Sequence, residues 1–87
     1  MNARMRPVDP RDVQSREDLA RFVRGLAQAL EQHPEAWENA TLPRFLEAMS
    51  AWIEDMDGYY QNQGAAVPTR PEWRTFAEIL SAARVYE

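Results

Sequence analysis

Eighty-seven residues suit one domain with a thin core, since a chain this short buries only about 60% of the surface its unfolded form exposes. The absence of Cys excludes a disulfide framework and any thiolate metal site, and no stretch of roughly eighteen uncharged apolar residues offers a membrane span. A hydrophobic fraction of 45%, three Trp and 28% charged residues describe a chain that folds by packing and not a disordered tail.

The net charge of −4 is unevenly spread. Residues 1 to 24 carry six Arg against Asp9, Asp12, Glu17 and Asp18, whereas residues 31 to 63 set Glu31, Glu35, Glu38, Glu47, Glu54, Asp55 and Asp57 against Arg44 alone. An acidic middle repels phosphate backbones, so direct nucleic-acid binding by this region is not expected, and a basic protein surface is the complementary partner. The opening MNARMRPVDPRDVQS has no apolar core of the kind a signal peptide needs, so a cytoplasmic location is expected.

Residues 1 to 14 contain Pro7, Pro10 and many charges without apolar periodicity, and are expected to form a flexible arm with nothing to bury. Ser15 opens S-R-E-D, in which its hydroxyl can accept from first-turn N–H groups while Asp18 reaches back. Leu19, Phe22, Val23, Leu26, Ala27 and Leu30 follow at helical spacing, and Glu17 precedes Arg21 by four residues, the favourable order for an ion pair. A first helix is predicted over 16–32, ended by Pro34, which forces His33 toward extended geometry. Glu35 to Asn39 is expected to make a short turn that lowers Trp37 onto the core.

The second helix is predicted to start at a cap on Asn39 or Thr41, with Pro43 tolerated in the first turn. Its Leu42, Phe45, Leu46, Met49, Trp52, Ile53, Met56 and Tyr60 recur at steps of three and four, the largest apolar stripe in the chain. The expectation is that this helix is the centre, flanked by the other two. It can stop at Gly58 or at Gly64, and the spacing across Gly58 favours the later glycine. After a loop over 64–71, Thr69 to Glu72 reads as a second capping box before a third helix predicted over 70–86, with Trp73, Phe76, Ala77, Leu80 and Ala83 on one face.

Few residues offer chemistry. Asp55, Asp57 and Gly58 spell D-x-D-G, but aligning Gly58 with the sixth position of a calcium loop puts Ile53 first and Gly64 twelfth, where carboxylates are required. His33 has no second His or Cys to share a metal, and Ser15, Ser50 and Ser81 lack the local signature of a nucleophile. A hydrolase using Glu54 and Asp57 is the enzymatic alternative, yet acids on one exposed helical face lack the concave, desolvated setting that splits carboxyl pKa values. No catalytic residue, cofactor or metal is therefore assigned. Tyr59 and Tyr60 point about 100° apart, so one of them belongs at the rim of the core. A rim tyrosine beside acids has the composition of an interface, and Glu54, Asp55, Asp57 and Tyr59 are the candidate partner-binding residues.

The motifs W-E-N-x-T-L-x-x-F-L-E-A at 37–48, A-W-x-x-D-M-D-G-Y-Y at 51–60 and W-x-x-F-A-x-x-L-x-A-A-R-x-Y-E at 73–87 resemble a family of small bacterial domains of unknown function. The resemblance covers residues 15–87 and implies a compact helical domain from a bacterium or phage, with no activity or site residue to carry over. Small acidic proteins of this kind are often inhibitors or immunity partners of toxins.

The reading is an all-α protein, a small three-helix bundle over 15–87 behind an arm over 1–14. It is expected to be a non-enzymatic inhibitor or immunity-like module docking on a basic surface of another protein. The alternative is a self-associating or subunit-docking domain, and a monomer or weak homodimer is expected, with no membrane partner.

Overall fold

The computed structural model describes residues 9–87 and contains three helices: α1 (Arg16–Gln32), α2 (Leu42–Asn62) and α3 (Trp73–Ala83). No strand occurs among the described residues. Two 3₁₀ turns, Pro10–Asp12 and Pro34–Ala36, precede α1 and α2, and each begins on a proline whose missing N–H has no acceptor to lose there.

Local chemistry sets most of the boundaries. Ser15 caps α1, its Oγ accepting from the Asp18 N–H at 3.1 Å, and the Asp18 carboxylate reaches back one residue further than expected, to the N–H of Gln14. Arg21 pairs with Asp18, and Glu17 is taken by Arg16, so the expected Glu17–Arg21 pair does not form. α2 runs through Gly58 and closes at Gly64 in a Schellman motif: Gly64 has φ of 70°, its N–H bonds to Gln61, and the Ala65 N–H returns to Tyr60. The predicted capping box of α3 is absent. The helix starts at Trp73 behind Glu72, which makes no side-chain cap bond, and it ends at Ala83, shorter at both ends than predicted.

The arrangement corrects the expectation about the centre. α3, the shortest helix, lies between the other two and contacts α1, α2 and the N-terminal turn, while α1 and α2 scarcely touch. Its Ala77 and Ala83 are 0% exposed and Thr75 is buried. Small side chains let a backbone approach neighbours closely on several sides, so the central helix is marked by alanines and not by bulk. α1 brings Phe22 with Leu19 and Leu26 to one side of α3, and α2 brings Ala48, Trp52 and Tyr60 to another.

A second correction concerns the arm. Residues 1–8 of the expected 1–14 lie outside the described residues, but residues 9–14 belong to the fold. Val13 is 1% exposed and joins Phe22 and Ala77 in one buried cluster. Asp9 caps the turn that delivers it: its carboxylate accepts from the Arg11 side chain and N–H, and these bonds hold its pKa at about 2.

At the far end, Asn39 fastens the chain terminus. Its Nδ2 donates to the carbonyls of Ala83 at 3.0 Å and Tyr86 at 2.9 Å, and its N–H donates to Arg84. Trp37 stacks on Phe45 with centroids 5.9 Å apart and lies beneath the Arg84 guanidinium.

Candidate protein-binding surface

The residues singled out on α2 do not form one patch. At 100° per residue, Glu54 and Asp57 lie about 60° apart and face outward, whereas Asp55 is turned roughly 160° from Asp57 and only about 40° from Tyr59. The structure puts Asp55 to work within the fold: its Oδ2 accepts the Tyr86 hydroxyl proton and ties the chain end to α2. This bond, and with it some burial and the carboxylate charge, raises the Tyr86 pKa. Glu47, Glu54 and Asp57 are exposed and make no ion pair among the described residues.

The tyrosine pair divides as its spacing requires. Tyr60 is 6% exposed and its hydroxyl donates to Glu78 of α3; burial first, then that carboxylate, raises its pKa well above the ordinary 10.0. Tyr59 is 40% exposed, its ring 5.3 Å from Trp52 and 5.0 Å from Tyr60. It borders a shallow depression with Pro10, Arg11, Arg84 and Val85. Tyr59 and Asp55 thus share the inner flank of α2, and the two outward acids belong to a separate face.

The D-x-D-G run of Asp55 to Gly58 lies inside α2 and not in a loop, so its carbonyls are committed to helical bonds. His33 caps the end of α1 with Nδ1 3.4 Å from Glu35. Among the described residues there is no group of three or more His, Cys, Asp or Glu placed to hold a metal ion, and no helix long and apolar enough to cross a membrane.

A feature the sequence reading missed lies on the opposite flank of α2. Leu42, Leu46 and Ile53, expected in the core, are 67%, 51% and 44% exposed, and Phe45, Met49 and Met56 are only partly covered. Because α1 packs on α3 and not on α2, no helix among the described residues covers this side. Between the two outer helices an apolar groove of about 270 Å³ opens, with Val23 and Leu30 on α1, Leu42 and Phe45 on α2, and Leu80 of α3 at its base. The signal was present in the sequence: Leu42, Leu46, Met49, Ile53 and Met56 alternate steps of four and three, a second stripe beside the one led by Trp52.

No curated protein and no solved structure matches the chain. A family model does. Residues 15–87 match the model described as "Family of unknown function (DUF7660)", and the chain, with its three packed helices, belongs to that family.

Proposed function

We propose that the protein is a non-enzymatic binding module, a small acidic inhibitor or immunity-like protein whose second helix docks on a basic surface of a partner protein. The observation that supports this most is the outward face of α2, where Glu47, Glu54 and Asp57 are exposed and without ion-pair partners among the described residues. Carboxylates left free on a rigid helix attract and orient a cationic partner, acting mainly on encounter rate and register. The small size and the net charge of −4 support the inhibitor form of the reading.

The engagement of Asp55 with Tyr86 refines the docking residues. Glu47, Glu54 and Asp57 carry the interaction, while Asp55 ties the helix to Tyr86 and Tyr59 packs on Trp52 of the same helix. The test is affinity capture from extracts of the source cell, with wild type and the Glu47→Lys, Glu54→Lys, Asp57→Lys triple variant compared at low and high salt. A specific partner retained by wild type at low salt, weakened by salt and by roughly tenfold or more in the variant is the expected result. A partner held equally by both proteins at low salt would overturn the reading.

A further inference from the structure

We propose that two copies of this chain associate through the open flank of α2, with Leu42, Leu46, Met49 and Ile53 of one copy laid antiparallel against the same residues of the second. The stripe has the four-three alternation of a coiled-coil seam, continued by Met56, yet no helix among the described residues lies along it. Its leading residues are the most solvent-exposed leucines of the structure, on a helix whose other flank is already packed. A self-complementary pair needs no further element: with the two-fold axis passing between Met49 and Ser50, Leu46 lies level with Ile53 of the second copy and Leu42 within one residue of its Met56.

Charge selects a second copy as a tolerable occupant although the chain is acidic. The seam itself carries no charge, and Glu47 and Glu54 lie about 100° or more round the helix from its midline. Asp57 borders it, but antiparallel alignment sends the two Asp57 residues to opposite ends, roughly 20 Å apart at 1.5 Å per residue. That is more than twice the screening length of about 8 Å at physiological salt. A parallel pair would instead place them side by side.

Area sets a bound on the association. Leu42, Leu46 and Ile53 with the partly covered Met49 and Met56 leave on the order of 400 Å² uncovered, within the range of the largest patch a monomer carries. Buried from both copies with its rim, this gives roughly 1,000 Å², the lower bound for specific association. An interface at that bound has little surplus over the cost of association, so the dimer is weak. Glu47 and Glu54 stay outward and only Asp57 lies at the rim of both surfaces, while the substitutions that test the dimer leave all three acids in place, so this association and the binding reading above are tested separately.

Sedimentation equilibrium over a wide concentration range tests it. Wild type is expected to pass from monomer to dimer, and Leu46→Glu with Ile53→Glu to stay monomeric while keeping the wild-type far-ultraviolet circular dichroism. Because the chain has no Cys, single substitutions give clean cross-links: Ser50→Cys, at the seam edge beside the two-fold axis, is expected to join to itself with a short bis-maleimide at least tenfold faster than Glu47→Cys on the outer face. A wild-type monomer at the highest concentrations, a dimer that survives the double substitution, or equal cross-linking at the two positions would each overturn the proposal.

Discussion

Asn39 and Tyr86 are joined by a hydrogen bond of 2.9 Å that spans more than half the chain, from the linker before α2 to the residues after α3. The second hydrogen of the same carboxamide goes to Ala83, so one side chain satisfies two carbonyls that the end of α3 would otherwise leave to water. Asn39→Ala is expected to lower stability by about 1–3 kcal/mol, and Asn39→Asp by more, since a carboxylate would face two carbonyl oxygens. Urea unfolding midpoints check this, and unchanged midpoints in both variants would contradict it.

Val13 provides the second expectation. It fills space against Phe22 and Ala77 from a segment without regular periodicity, so Val13→Ala should cost about 1–3 kcal/mol through lost transfer energy and the cavity left behind. Removal of residues 1–14 should cost at least as much. A truncated protein that melts with the full chain would show that the segment contributes nothing.

The two glycines of α2 should respond in opposite directions. Gly58 has helical geometry with open space where a Cβ would lie, so Gly58→Ala is expected to stabilise by about 0.5–1 kcal/mol. Gly64 holds φ of 70°, where an L side chain clashes with its own backbone, and Gly64→Ala is expected to destabilise by about 1–2 kcal/mol. Thermal unfolding of the pair, measured side by side, reads both signs.

Tyr60 predicts the alkaline limb. Its pKa is higher in the folded protein than in the unfolded chain, because burial and Glu78 disfavour the phenolate. Stability from this group is therefore complete below about pH 10 and declines as pH rises toward the elevated folded value, where the unfolded chain gives up its proton first. Tyr60→Phe should lower neutral stability by about 1 kcal/mol and flatten the decline above about pH 10. An equally steep alkaline loss in the variant would assign the effect elsewhere.

Much of this structure was legible beforehand, and the failures share a cause. The limits of α1 followed from Ser15 and Pro34, and the stop of α2 near Gly64 from apolar spacing that continued past Gly58. These are local rules, enforced by the backbone itself. Burial is a property of neighbours. The heavy apolar load of α2 suggested the centre, but side chains as large as Leu42 and Ile53 hold other helices away, and the alanines of α3 admit them. Val13 was overlooked because a single apolar residue has no period to detect. The same limit applies to the acids: spacing placed Asp55 on a flank but could not reveal that Tyr86 would occupy it.

Since α1 and α2 meet chiefly through α3, the order of synthesis has a consequence for the newborn chain. The first two helices emerge with apolar sides that have no mutual resting place, and an amphipathic helix draws most of its stability from packing that face. They must wait, exposed to chaperones and proteases, until residues 73–86 have been translated and the last short coil can slot between them. Maturation is then a single late event with no half-built domain before it.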